Sequence, residues 1–222
     1  QLINQLILTR SRNRKIELLN HYFRNTKNPD RGLALAILTG NLKIKNISIS
    51  KIKEMIKEEV DPELFDLSYD YVGDLAETIA LIWPYKQKGL VPKLSFIIDE
   101  LESSSSTNIT RLIKKYLSIF SENERWALIK LLSGGLRIGV STRLTKLSLI
   151  HNTDIKISEI EKIWNGLEPP YLELFKWIFE KGVKPKIVVE KIFHPLMLAH
   201  PVEEKDFNKL NPEEFIAEWK WD

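Results

Sequence analysis

Two stretches of this 222-residue chain hold residue types whose spacing could do chemistry. The first is Ser133-Gly134-Gly135-Leu136-Arg137-Ile138-Gly139-Val140-Ser141-Thr142-Arg143. Its three glycines let the backbone turn through positive φ and let a partner approach the main chain with no Cβ in the way. Ser141 or Thr142 would cap a following helix, whose free N–H groups and positive dipole end would then lie beside Arg137 and Arg143. Amide donors, short hydroxyls and arginines together suit a phosphate oxygen. The same spacing also fits a helix C-cap at Gly134 followed by an ordinary turn. The second stretch is Phe215-Ile216-Ala217-Glu218-Trp219-Lys220-Trp221, which alternates as a strand does. Between two tryptophans, Lys220 would be partly desolvated, which lowers its pKa and frees the amine as a nucleophile. Glu218 would share its face, two residues earlier, placed to hydrogen-bond a ligand or to pair with the lysine. The alternative there is a solvent-facing Glu/Lys pair with the tryptophans in a core.

The elements that must position these groups read as short helices. Asn13 to Phe23 carries Ile16, Leu18, Leu19, Tyr22 and Phe23 at helical spacing, with Thr9 or Ser11 as its start signal. Its opening turn holds Arg10, Arg12, Arg14 and Lys15; these cations oppose the helix dipole, a conflict that an anionic partner would relieve. Asn28-Pro29-Asp30 opens a second helix through Leu38, closed by Gly40. Ser50 is expected to cap Lys51–Glu59, and Asp61-Pro62 to start a short helix with Leu64, Phe65 and Leu67 as its apolar face. Tyr69 to Asp74 reads as an interruption, after which Asp74 caps Leu75–Trp83. Helices are expected at Leu94–Leu101 and Asn108–Phe120, separated by a serine-rich joint, Glu102–Ser106. Ser121 and Glu124 form a capping box for a helix running to Leu132. Ser141–Ile150, Ser158–Trp164 and Tyr171–Glu180 complete a compact all-α set of ten to twelve helices. Beyond Gly182 the texture becomes extended and β-branched, with a linker at Phe193–Pro201. The organisation this implies is a helical domain over residues 1–182, then residues 183–222 as a linker and the truncated start of an α/β domain.

Composition narrows the function classes. With 43% hydrophobic and 28% charged residues, the chain is ordinary for a globular protein with a real core. It has no cysteine, which removes disulfides and thiolate metal sites and makes the cytoplasm the default compartment. No apolar run approaches a membrane span, and a start at Gln1 without a signal-peptide pattern suggests a fragment. The net charge of +3 is unevenly spread: residues 103–150 hold eight Lys/Arg against two acids, residues 10–31 hold seven against two, and the region from His151 onward is net acidic. A basic excess in two segments, one containing the glycine stretch, points to a localised polyanion surface. The four histidines, His21, His151, His194 and His200, have no metal-ligand spacing, so no metal site is expected. Tyr22, Phe65, Trp83, Trp126, Trp164 and Trp177 read as core, and Asp74 as a cap rather than half of a cation site with Asp70.

Several of these segments carry a family resemblance. Glu218-Trp219-Lys220-Trp221-Asp222 resembles the start of the Lys-x-Asp-Gly motif of covalent nucleotidyltransferases, a motif that also fits RNA ligases and capping enzymes. Ser133-Gly134-Gly135-Leu136-Arg137-Ile138-Gly139 resembles the signature of the helical N-terminal DNA-binding domain of ATP-dependent DNA ligases. Phe193-His194-Pro195-Leu196-Met197-Leu198-Ala199 is similar to the segment joining that domain to the adenylation domain. Ser11-Arg12-Asn13-Arg14-Lys15, Pro29-Asp30-Arg31-Gly32 and Asp70-Tyr71-Val72-Gly73-Asp74-Leu75-Ala76-Glu77 look like the bacterial members in particular.

The resemblance implies a function for each part. Lys220 would attack the α-phosphate of ATP with Mg²⁺ assistance and carry the AMP, while Glu218, with Trp219 beside it, would recognise the adenine. The AMP would pass to the 5′-phosphate of a nick in double-stranded DNA, and the 3′-hydroxyl would displace it. Gly134, Gly135, Arg137 and Gly139 would cradle the DNA backbone, with Ser141, Thr142 and Arg143 close by. By charge alone Arg12, Arg14 and Lys15 are candidates to extend that footprint; the resemblance gives them no specific role. Further implied are a monomeric, nucleoid-associated cytoplasmic enzyme and a fragment that does not ligate alone. The rival readings are a non-catalytic helical DNA-binding or scaffold protein, and an RNA ligase or capping-type nucleotidyltransferase.

Overall fold

A computed structural model describes the chain apart from Gln1, Lys43, Lys45, Asn46, Gln87, Lys88, Ser106, Gly135, Arg137, residues 187–201, Lys209, Phe215 and residues 217–222. The described residues form twelve α-helices and no strand: α1 (Leu2–Leu8), α2 (Arg12–Asn25), α3 (Asp30–Leu38), α4 (Ile49–Lys57), α5 (Pro62–Val72), α6 (Leu75–Ile82), α7 (Leu94–Ser103), α8 (Asn108–Ile119), α9 (Glu122–Ser133), α10 (Thr142–Leu149), α11 (Ile157–Trp164) and α12 (Leu172–Phe179). None of the described helices is long and apolar enough to cross a membrane. The chain divides into two compact units, Gln1–Glu190 and Lys191–Asp222. The described part of the second unit contains two 3-10 turns, Glu204–Asp206 and Pro212–Glu214. The strand expected over Phe215–Trp221 and the linker at Phe193–Pro201 lie outside the described residues, Ile216 alone excepted.

Local chemistry sets most helix starts. Ser11 Oγ accepts from Arg14 N–H, Asp61 Oδ1 from Leu64 N–H, and Asp74 Oδ1 from Glu77 N–H, each satisfying a donor that the first turn leaves unpaired. Glu124 closes its capping box by accepting from both the N–H and the hydroxyl of Ser121. The cap of α4 is Ser48 rather than Ser50: Ser48 Oγ accepts from Lys51 N–H, and Ser50 only shares a hydroxyl contact with it. The expected break at Tyr69 does not occur. The helix continues to Val72 and stops where Gly73 adopts φ +73°, so glycine and Asp74 together end one helix and begin the next. Nor do Leu64 and Leu67 share a buried face with Phe65. They are 52% and 64% exposed, because α5 turns Phe65 and Tyr69 inward as a stacked pair. For α1 the sequence gives no forecast, since seven residues without a cap show no usable periodicity.

Packing produces two cores within the first unit. One gathers Leu6, Ile16, Leu19, Phe23, Leu35, Ile138, Leu149, Trp164 and Phe175, from α1–α3 and α10–α12. The other gathers Ile52, Phe65, Ile79, Trp83, Leu101, Ile113, Tyr116 and Ile129, from α4–α9. Each fully buried large apolar side chain contributes about 1.5–3 kcal/mol. The chain thus begins in one lobe, builds the other with six consecutive helices, and returns. Half-buried Trp126 packs against both cores, and Asp30 Oδ1 on α3 accepts from Ser95 N–H at the start of α7. The return crossing is the glycine stretch between α9 and α10.

In the middle lobe, Arg125 is 2% exposed and binds carbonyls rather than a carboxylate. Its guanidinium donates to Leu117 O (2.6 Å), Tyr85 O (2.8 Å), and Ala80 O and Trp83 O (3.4 Å each). These acceptors lie at the C-terminal ends of α6 and α8, where helix carbonyls have no partner of their own. Burial pulls the Arg125 pKa below the usual arginine value, against the pull of Glu122.

Candidate nucleic-acid interface

The crossing between the lobes is a built turn. Gly134 ends α9 in the left-handed region at φ +71°, with nothing close to where a Cβ would stand. Ile138 then dives into the first core while Gly139 stays exposed and turns at φ +66°. Of the two candidate caps, Ser141 serves: its Oγ accepts from Leu144 N–H at 3.2 Å, and Thr142 is the first helical residue. Ser141, Thr142 and Arg143 are all exposed. Gly135 and Arg137 lie outside the described residues.

The neighbouring helix fixes this turn. Lys15 Nζ of α2 donates to Gly139 O (2.9 Å) and Ile138 O (3.4 Å), and a Cβ on Gly139 would stand 2.7 Å from that nitrogen. Further along, Asn20 Nδ2 donates to Ser148 O (2.7 Å), and Arg24 Nη2 reaches His151 O (3.5 Å). These contacts climb both helices together, so α2 and α10 run parallel and their N-termini share one end of the lobe. Neither helix carries an acid in its first turn. Two positive dipole ends therefore lie side by side with exposed Arg12, Arg14 and Arg143 around them, a fixed electropositive end that no first-turn carboxylate offsets. Among the described residues only Arg14 has a close acidic partner there, Glu17 at 2.8 Å, and both remain exposed.

Two of the segments singled out by sequence thus meet here: Ser11–Lys15 and, from the glycine stretch, its described residues Ile138–Arg143. Lys15 does not face outward with Arg12 and Arg14; it is buried and spent on the turn. The other quoted segments have structural duties. Arg31 is 6% exposed, stacks over Phe175 at 4.6 Å and donates to Glu180 at 2.7 Å. Gly32 is where α3 meets the turn before α12, since a Cβ there would come within 1.7 Å of Pro170 O. Asp74 caps α6 and pairs with Lys130; although burial works to raise its pKa, the Lys130 hydrogen bond and backbone donors hold its carboxyl below the usual range. Lys146, on α10, lies over the Trp164 ring at 4.6 Å, and burial lowers its pKa. Asn20 had no sequence signal, because its carbonyl partner is 128 residues away.

The chemical end of the sequence reading, Glu218, Trp219 and Lys220, lies outside the described residues. Among those that are described, no group of His, Asp or Glu could hold a metal ion, and no step through ATP or Mg²⁺ follows from their geometry. A family model described as "DNA ligase N terminus" matches residues 1–151. No curated protein matches the chain.

Proposed function

This chain belongs to the DNA ligase N-terminus family, the N-terminal domain of an ATP-dependent DNA ligase, and we propose that it grips duplex DNA at the nick that the whole enzyme seals. The observation carrying this reading is the paired N-terminal ends of α2 and α10, bound to a glycine turn and ringed by Arg12, Arg14 and Arg143. Sealing must work at any sequence, so the grip should fall on phosphates and groove shape rather than on base edges. Backbone amides, Ser141, Thr142 and arginines supply such contacts without reading a base. Gly134, Gly135, Arg137 and Gly139 line the same turn in the sequence and are assigned to the backbone cradle. We assign Lys220 as the residue that receives AMP from ATP, Glu218 as its adenine-recognising neighbour, and residues 183–222 as the entry to the adenylation domain. Those assignments rest on the sequence resemblance alone, as do Mg²⁺ use, the bacterial type and a monomeric state.

The test is a fluorescence anisotropy titration of the chain with nicked duplex, intact duplex and matched RNA over a salt series. DNA affinity should fall steeply with salt, and Arg143→Ala should weaken it for every sequence while lowering the salt slope by about one. Absence of DNA binding at low salt, or equal binding to RNA, would overturn the DNA reading. Lys220→Ala in the full-length enzyme should abolish the ATP-dependent mass gain of one AMP; retained gain would mean another nucleophile.

A further inference from the structure

We propose that Lys15 is a positioning residue for the DNA-binding turn: it holds the turn open from inside and does not touch the phosphates. This inference rests on the DNA-binding reading above and adds a role to a residue whose sequence position alone suggests a direct contact.

Lys15 closes the first turn of α2 directly after exposed Arg12, Asn13 and Arg14, yet it is itself only 9% exposed. The side chain carries Nζ to the turn, where two consecutive carbonyls, Ile138 O and Gly139 O, converge on it. Such convergence requires the left-handed backbone at Gly139, and any Cβ there would displace the ammonium. In a trans peptide the N–H points opposite to the C=O. With both carbonyls drawn inward by Lys15, the N–H groups of Gly139 and Val140 point away from the core. Neither donates to a described backbone or side-chain acceptor. An ammonium on the carbonyl side also polarises each peptide, making its N–H a stronger donor. No carboxylate lies within ion-pair distance of Lys15 among the described residues, and its hydrogen bonds go to these two carbonyls. One buried group therefore sets the conformation of the turn and the direction of its amides.

The experiment compares Lys15→Met with Arg12→Ala by anisotropy against nicked duplex over a salt series, with amide hydrogen exchange on the free protein. Lys15→Met keeps the apolar stem and removes the ammonium. It should weaken binding about tenfold at every salt concentration and leave the salt slope unchanged, because no phosphate contact is lost. It should also speed exchange at Leu144 and Thr145, whose N–H groups Ser141 holds at the end of the turn, without DNA present. Arg12→Ala should do the reverse: a slope lower by about one, with exchange at the turn unaltered. Gly139→Ala attacks the same contact from the other side, and combining it with Lys15→Met should weaken binding no further than the worse single change. It also keeps the test alive should Lys15→Met fold poorly. A slope lowered by one in Lys15→Met would make Lys15 a phosphate contact and overturn the proposal, as would unchanged affinity or additive losses in the double variant. Failure of the unmodified protein to bind DNA would instead remove the underlying functional reading.

Discussion

Replacing Arg125 by methionine should be among the most damaging single changes in the middle lobe, although it removes no ion pair and leaves an apolar side chain of similar length. The guanidinium makes two good bonds, to Leu117 O at 2.6 Å and Tyr85 O at 2.8 Å, and two marginal ones at 3.4 Å. A hydrogen bond to a charged group is worth about 1.5–3 kcal/mol, so the two short bonds carry roughly 3–6 kcal/mol. Releasing a buried charge returns part of that, as does the good apolar packing of methionine. The net loss should be about 3–4 kcal/mol, which for a chain of this size is on the order of 6–16 °C in Tm. Urea unfolding followed by circular dichroism would measure it, with an unchanged m-value confirming that stability, not compactness, has moved. Tryptophan fluorescence should register the change, because Trp83 O is itself one of the acceptors. Arg111→Met, at an exposed position on α8, is the control and should stay within about 0.5 kcal/mol. A loss below about 1 kcal/mol for Arg125→Met, or one no greater than the control's, would refute the view that this side chain joins the ends of α6 and α8.

Other expectations concern backbone contacts and pH. Gly32→Ala forces a Cβ to within 1.7 Å of Pro170 O, so it should lower Tm by more than 10 °C or prevent recovery of folded protein; a normal melting curve would show that α3 can shift freely. Gly134→Ala meets no atom of the protein itself and incurs only the left-handed penalty of about 1 kcal/mol, so Tm should fall by roughly 2–4 °C; a fall above about 10 °C would place a tighter contact at this position. The Asp74 carboxyl titrates below its unfolded value, so its stabilising contribution is present above about pH 4 and is lost as pH falls through the depressed folded value. Asp74→Asn keeps a competent cap but loses the Lys130 ion pair. Its melting temperature should therefore lie slightly below the parent's at pH 7, by the equivalent of roughly 0.5–1 kcal/mol, and the gap should narrow progressively as pH falls below about 4. A gap that does not narrow at all with acidification would place the effect in the cap instead.

How far the sequence reached depended on the distance over which each signal acts. Helix boundaries set by a side chain three residues from its backbone partner were legible: Ser11, Asp61, Asp74, Ser121 and Ser141 all cap where their spacing suggests. The resemblance of the glycine stretch to DNA ligases was legible for the same reason, since a signature of seven adjacent residues needs no knowledge of the fold. Where two local solutions competed, sequence chose badly. Ser48 and Ser50 both fit a cap, and the inward face of α5 depended on which of three apolar residues found a partner in the second core.

Tertiary structure decided where the signature sits. The first core is discontinuous in the chain, built from α1–α3 and α10–α12 around a six-helix excursion, so the glycine stretch becomes the crossing between two lobes. That closure brings Lys15 to a carbonyl 124 residues away and sets the α2 and α10 dipoles parallel. A lysine bound for the interior and one bound for solvent look alike in sequence; the difference lies in which distant carbonyls the fold leaves without partners. Types and caps are written locally, whereas the direction of a buried charge is fixed only when chain segments far apart in sequence pack together.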